Sequence, residues 1–442
     1  MLRLNPLPQL SAIAGTAAAA VIRWPYRLRA WVIRALRGEP RLRVALTTFG
    51  WTPMSGGAGN YMMSLILGWS DLEPGNPLRL YATKSVFDHL KRLPLRRRIY
   101  ARCLTTSSDL RREPDRFDIH CQIGHLEPVP PPRRAVYNLA DLQERFFPEF
   151  FTEKDRRDRA DNHLAGLRHA WRIITGSEFT RVSFAELLDM PEGLSALARL
   201  PVADLPSVVR RPAALPEKTR GFLYYPADDF LHKNHRRVMR ATALLRSEGH
   251  DVSLVCTGGR FSGRDLTAMA AEEGLDGTFH DLGKVSREEV SWLYRHSKLL
   301  FFGTLFEGFG LPVLEAFLCG TPVACSGVTS LPEIGGRAAV YFNPLDAAHM
   351  ASRVARLLGE PRERERLVQE GYRQSRQFSL PKVIAMHKDV FSRVQQQKER
   401  IACHPADLPP VDTARAWRLY VERAEPAVRE NLPAERPASL LD

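Results

Sequence analysis

FEGFGLPVLEAFLCG, residues Phe306 to Gly320, is the most informative stretch of this chain. Just before it, Leu299–Phe302 is a short apolar run suited to a buried strand. Gly308-Phe309-Gly310 then turns the chain, and Pro312 stands early in the following helix, where a missing N–H costs least. Strand, glycine turn and helix in this order present bare backbone N–H groups and a positive helix end, which suits a diphosphate. Glu307 precedes the turn and Glu315 lies on the helix behind it, eight positions on, so the two can address different parts of one extended ligand. A carboxylate accepts two hydroxyl hydrogen bonds, as vicinal sugar diols offer. The same residues also fit a plainer role, Glu307 as a surface acid and Glu315 as a partner of the helix dipole.

Working outward, the second half of the chain alternates strand and helix. Strands are expected at Gly221–Tyr225, Val252–Thr257, Leu299–Phe302, Pro322–Ser326 and Ala339–Phe342, with helices at Asn234–Glu248, Ser262–Glu273, Arg287–His296, Leu311–Cys319 and Asp346–Leu358. Such alternation predicts a parallel sheet covered on both faces. The first half opens similarly. Arg43–Phe49 is β-branched, Ser55–Gly59 (SGGAG) is a glycine loop and Asn60–Gly68 has helical spacing. Further strands are expected at Leu78–Ala82, Asp118–Ile123, Ala135–Asn138 and Arg172–Thr175. Prolines 201, 206, 212 and 216 mark the connection between the halves. The domains expected are residues 41–205 and 221–380, joined by a linker at 206–220 and followed by a helix at 381–400. The Pro-rich remainder, 401–442, loses periodicity and is expected to be loosely attached apart from a short helix near Ala414–Ala424. Two doubly wound α/β domains place a ligand in the cleft at their strands' carboxyl ends.

Composition narrows the classes. Lys plus Arg is 63 against 50 acids, a net charge of +13, which favours anionic partners such as phosphate ligands or an acidic membrane surface. No helix-turn-helix, zinc module or RNA-binding aromatic pattern accompanies that charge, so nucleic acid is not expected as a partner. Cys103, Cys121, Cys256, Cys319, Cys325 and Cys403 are scattered without a C-x-x-C pair, which fits a reducing compartment better than disulfides or a metal. There is no run of about 18 apolar residues to span a bilayer. The first 40 residues form a separate extension. Within it, Tyr26–Arg37 sets Leu28, Trp31, Val32, Ala35 and Leu36 at helical spacing opposite Arg27, Arg34 and Arg37, a pattern that serves either an anionic membrane surface or a helix packed on the first domain.

Phe306–Gly320 resembles the family 4 retaining glycosyltransferases of GT-B fold, whose E-G-F-G-L-P-x-L-E-A motif places Glu307 and Glu315 at its two glutamates. GKVSREEVSWLY (Gly283–Tyr294), CGTPVACS (Cys319–Ser326) and SLPEIG (Ser330–Gly335) extend the resemblance over most of the second domain. The resemblance implies that Glu307 contacts the donor sugar, Glu315 the donor ribose, and the backbone of Gly308, Phe309, Gly310 and Leu311 the sugar and diphosphate. His232-Lys233-Asn234-His235 is similar to the family's Lys-Asn-His segment, which gives Lys233 the diphosphate. Ser55–Asn60 resembles the family's first glycine loop, which gives Gly56 and Gly57 a place on the donor side. NLADLQERFF (Asn138–Phe147) resembles a segment commonly written with His-Asp-Leu, but the histidine position is Ala140 here, followed by Asp141 and Leu142. Asn138, Asp141, His120 and His125 are therefore the candidates for the sugar and acceptor side.

The implied activity is transfer of a hexose from a nucleotide-diphosphate sugar to a glycan or lipid-linked acceptor hydroxyl, with retention, in envelope polysaccharide or glycolipid synthesis. The nucleotide sugar is a substrate, and neither a cofactor nor a catalytic metal is expected. The expected location is cytoplasmic, peripheral at the inner membrane face. Ala140 supports a second reading, a catalytically weak nucleotide- or glycan-binding partner protein of the same fold. Glu307, Glu315 and Lys233 argue against it.

Overall fold

The computed structural model describes residues 42–48, 56–73, 75, 76, 78–92, 100–103, 117–123, 134–202, 205–219, 221–403 and 405–440. The extension 1–40 and His125 lie outside them. Two parallel sheets organise the rest. The first contains β1 (Val44–Thr47), β2 (Leu78–Ala82), β3 (Tyr100–Cys103), β4 (Ile119–Ile123), β5 (Arg134–Asn138), β6 (Ala170–Thr175) and β7 (Ser195–Leu197) in the order β3-β2-β1-β4-β5-β6-β7. The second contains β8 (Leu223–Pro226), β9 (Leu254–Thr257), β10 (Phe279–Asp281), β11 (Leu299–Phe302), β12 (Val323–Ser326) and β13 (Ala339–Phe342) in the order β10-β9-β8-β11-β12-β13. Every strand pair in both sheets is parallel. Strand order reverses between β1 and β4 and between β8 and β11, and these two switch points set the crevices where ligands bind such folds.

The central strands are apolar and wholly buried, as Val44–Thr47, Leu299–Phe302 and Val323–Ser326 show. Helices cover them for equally local reasons. Ser286 caps Arg287–His296 in a reciprocal box with Glu289, and Asp346 and Asp265 cap the helices after them. The linker is tied to the second domain: Ser291 Oγ donates to the Pro206 carbonyl and Arg210 Nη2 to Ser286 Oγ.

The C-terminal part departs from expectation. The helix Leu380–Gln396 crosses back to the first domain, where Phe391 meets Trp69 with ring centroids 5.3 Å apart. The tail beyond it is anchored rather than loose. Arg168 Nε and Arg145 Nη1 of the first domain hold the carbonyls of Pro405 and Pro409 at 2.9 and 2.5 Å. The helix Thr413–Glu422 then buries Trp417 and Tyr420, and Asn343 Nδ2 and Arg237 Nη1 of the second domain hold the carbonyls of Asn431 and Leu440. Proline breaks periodicity without preventing packing, because carbonyls of an irregular chain still accept hydrogen bonds from fixed arginines.

Candidate active site

A cleft of about 860 Å³ opens between the domains at the carboxyl ends of both sheets. From the second domain, the loop after β8 brings Asp228 and Lys233, and the loop after β11 brings Glu307, Gly308, Phe309 and Gly310. Leu311, Pro312 and Glu315 follow on the helix Leu311–Leu318. Lys233 Nζ lies 2.6 Å from Glu307 Oε1, with the two side chains 16% and 13% exposed. Their loops are tied behind the pair, where the His232 carbonyl accepts from the Leu305 N–H at 2.7 Å and from Thr304 Oγ1 at 3.0 Å.

The glycine turn leaves its amides open to the cleft. Its carbonyls are all engaged: Ser330 Oγ donates to those of Glu307 and Phe309, and Ser177 Oγ and Thr180 Oγ1 of the first domain donate to that of Gly308. The N–H groups of Gly308, Phe309 and Gly310 donate to no described acceptor. Gly310 stands at φ +113° as the helix N-cap, a conformation that side chains rarely adopt. Gly308 has a different reason to be glycine, because a Cβ there would lie 2.9 Å from Asp141 Oδ2 and 3.0 Å from the Ala140 carbonyl across the interdomain seam.

Glu315 lies deeper. Its Oε1 accepts from Arg287 Nη1 at 2.9 Å and its Oε2 from the Tyr294 hydroxyl at 3.1 Å, and Arg287, Val290, Thr257 and Gly258 line the same cleft. Burial, with Glu315 beside it, pushes the Tyr294 phenol well above its ordinary range, so it remains a donor.

The first domain supplies the opposite wall. Gly56 and Gly57 open the helix Gly56–Leu72, whose Asn60 and Tyr61 line the cleft. Asn138 also lines it, and its Nδ2 donates to the Tyr61 hydroxyl at 2.6 Å. That hydroxyl lies 2.9 Å from His387 Nε2, and His387 Nδ1 lies 2.9 Å from the Val383 carbonyl. Burial lowers the His387 imidazole to about 4, so the ring is neutral, with Nδ1–H donating to Val383 and Nε2 accepting from Tyr61. Asp141 Oδ1 accepts from Arg159 Nη2 at 2.6 Å, and Arg159 Nε donates to Glu144 Oε2 at 2.6 Å. Burial works against the Arg159 charge, but Glu144 and Asp141 outweigh it and hold the guanidinium above its ordinary value. His163 Nδ1 lies 3.4 Å from Glu144 Oε1 without hydrogen-bond alignment, and burial lowers its pKa to about 4.

The structure thus brings Lys233, Glu307, Gly308, Phe309, Gly310, Leu311, Glu315, Asn138 and Asp141 together. His120 is elsewhere. It sits in β4 at 2% exposure against Thr47 and Phe117, does not line the cleft, and is held neutral by burial, which lowers it to about 4. Ala140 is exposed and does line the cleft. Sequence reasoning missed Arg159, Asn162 and His163, all of which line it from the helix Glu153–His169. Their spacing of three and four residues puts them on one helix face, a signal that was available. Arg287, within GKVSREEVSWLY, lines the cleft as well and holds Glu315. Among the described residues no group of three His, Cys, Asp or Glu side chains is arranged to hold a metal.

Residues 209–374 match the family described as glycosyl transferases group 1. The chain is 31% identical over 256 residues to the O-antigen chain mannosyltransferase B of Escherichia coli, covering 56% of this chain and 67% of that protein. It is 31% identical over 165 residues to the MMP alpha-(1->4)-mannosyltransferase of Mycolicibacterium hassiacum, covering 36% of this chain and 40% of that one. Among solved structures, a glycosyltransferase of Rickettsia africae superposes with a TM-score of 0.61 at 12% identity, over 81% of this chain and 100% of its own. WaaG, a glycosyltransferase involved in lipopolysaccharide biosynthesis, does so with 0.58 at 17% identity, over 79% and 99%. At these identities the likeness is one of fold, and it is the two-domain GT-B arrangement.

Proposed function

Because the chain belongs to the glycosyl transferases of group 1, we propose that it transfers a hexose from a nucleotide-diphosphate sugar to a hydroxyl of a glycan or lipid-linked acceptor, with retention and without a catalytic metal. Envelope polysaccharide or glycolipid synthesis is the setting, since the E. coli relative is named for O-antigen chain mannosyl transfer. That name makes GDP-mannose the first donor to try. The observation that carries the reading is the convergence of Lys233, Glu307 and the unpaired amides of Gly308–Gly310 on one interdomain cleft.

In this reading the diphosphate lies over the turn, where its charge meets three amides and a helix N-terminus. Lys233 leaves Glu307 and stabilises the phosphate as negative charge develops on it. Glu307, released, accepts hydroxyls of the sugar, while Glu315 accepts those of the ribose. The bond from the anomeric carbon to the β-phosphate oxygen breaks, and the acceptor oxygen bonds to the same face of that carbon. The acceptor's proton passes to the departing phosphate oxygen, so no protein base is required.

The test is thermal stabilisation by UDP, GDP, ADP and dTDP, followed by turnover of the matching nucleotide sugars. A ligand at about 100 times its dissociation constant adds roughly 2.7 kcal/mol to the folded state. Ala140 favours the second reading, a binding partner with weak catalysis: nucleotide binding without turnover establishes that one, and no binding at all removes both. Contact with an anionic membrane surface is the further expectation from Tyr26–Arg37. Vesicle binding that survives deletion of Met1–Arg37 would remove that expectation.

A further inference from the structure

The first-domain wall of the cleft is a fixed charged assembly opposite the glycine turn. Asp141 has one oxygen in use: Oδ1 accepts from Arg159 Nη2 and, at 3.1 Å, from the Gln143 N–H. Oδ2 accepts from no described donor and lies at the seam beside Gly308. Arg159 cannot swing away, because Glu144 holds its Nε, the Asp141 carbonyl accepts from its Nη2 at 3.2 Å, and its guanidinium lies 5.3 Å from the centre of the Phe151 ring. Ala140, the residue before Asp141, also lines the cleft. One turn along the same helix His163, only 5% exposed, lines the cleft with a buried Nδ1 that has no aligned partner.

We propose that Asp141, aimed by Arg159, grips a hydroxyl of the transferred sugar from the first domain, so that the sugar is held between Asp141 and Glu307, and that the donor therefore carries a neutral, hydroxyl-bearing sugar rather than an acidic one. The inference rests on the transferase reading above. An ionised carboxylate is an acceptor only, so a sugar hydroxyl satisfies Oδ2, whereas the carboxylate of a uronic acid would face two like charges. Arg159 is a positioning residue: with both of its carboxylate partners in place it has little charge left for a ligand, and its planar fork sets the direction of Oδ2. The arrangement divides the donor between the domains. The second domain holds nucleotide and diphosphate, and the first domain reads the sugar.

The experiment compares sugar nucleotides with their bare diphosphates by calorimetry, using GDP-mannose with GDP, and UDP-glucose and UDP-glucuronate with UDP. Wild type, Asp141→Asn, Asp141→Ala and Arg159→Lys are compared, the isosteric Asn variant guarding against a folding defect. In wild type a neutral sugar should add affinity over the bare diphosphate, and glucuronate should not. In Asp141→Ala that increment should fall about tenfold, the scale of one charge-assisted hydrogen bond, with bare diphosphate binding within about twofold of wild type. Asp141→Asn should lose part of the increment, and Arg159→Lys should raise the donor KM more than it lowers kcat. An unchanged sugar increment in both Asp141 variants overturns the proposal, as does preferential binding of UDP-glucuronate. Wild type that binds no nucleotide overturns the transferase reading itself.

Discussion

Lys233 Nζ and Glu307 Oε1 are 2.6 Å apart, although they come from loops on opposite sides of the β8–β11 switch point. Without donor each neutralises the other in a largely shielded cleft. In the proposed reading, a bound donor takes both side chains out of this pair. Glu307→Ala should therefore fold normally and lose transfer by more than about a hundredfold, yet bind a bare nucleotide diphosphate as tightly as wild type or tighter, because Lys233 no longer has to leave a carboxylate. Lys233→Ala should weaken diphosphate binding about tenfold. Calorimetry with the diphosphate, beside turnover, checks both, and full activity in Glu307→Ala would remove the central assignment.

Tyr294 holds the other glutamate. Tyr294→Phe removes the 3.1 Å hydrogen bond to Glu315 and leaves Arg287 as that carboxylate's partner. The expected cost is about 1 kcal/mol of stability and a several-fold rise in the dissociation constant of the nucleotide. A variant with wild-type nucleotide affinity would show that the Arg287 contact alone orients Glu315.

The C-terminal tail should matter to stability through Tyr420. Its ring packs 5.7 Å from Phe147 and 6.5 Å from Phe146 of the first domain, and its hydroxyl donates to the Leu305 carbonyl of the second at 2.9 Å. Tyr420→Ala should cost about 3–5 kcal/mol, the range for emptying a large buried aromatic site. Denaturant titration reads the loss directly, and a midpoint within error of wild type would contradict the anchoring.

Acid should destabilise the fold before its carboxylates titrate. Burial holds His120, His163 and His387 at about 4, below the value of about 6.5 for an unfolded histidine. Between those values the unfolded chain binds protons that the folded chain refuses. The histidine contribution is therefore complete above about pH 6.5 and is lost as pH falls towards 4. Urea unfolding at a series of pH values should show stability rising with pH across that window, and His387→Gln should flatten the slope. A flat profile in wild type would mean that these rings accept protons in the folded state.

The central strands were legible because they are continuous apolar runs. Leu78–Ala82 and Leu299–Phe302 fall where periodicity put them, as does the edge strand Ala339–Phe342, which is apolar throughout. The three strands that periodicity missed, Tyr100–Cys103, Ser195–Leu197 and Phe279–Asp281, are edge strands, one or both ends of the two sheets. Edge strands are short and carry polar residues such as His280 and Asp281, because only one side is paired. The tail was misjudged for a related reason: Pro405 and Pro409 give no periodic signal, and what fixes them is Arg168 and Arg145, more than 200 residues away.

Sequence alone determined the two doubly wound domains, the glycine turn, and the glutamates and lysine that line the cleft, because each depends on a short segment whose local order carries its own geometry. Only the tertiary structure decided which first-domain groups meet that turn. It withdrew His120 into the sheet and set Asp141 beside Gly308. It also brought Arg159 and His163 into the cleft and placed His387 behind Tyr61 across 326 residues of chain. The relation of Asp141 to Gly308 depends on how the two domains meet, and the Cβ that Gly308 lacks is a local trace that their approach leaves in the sequence.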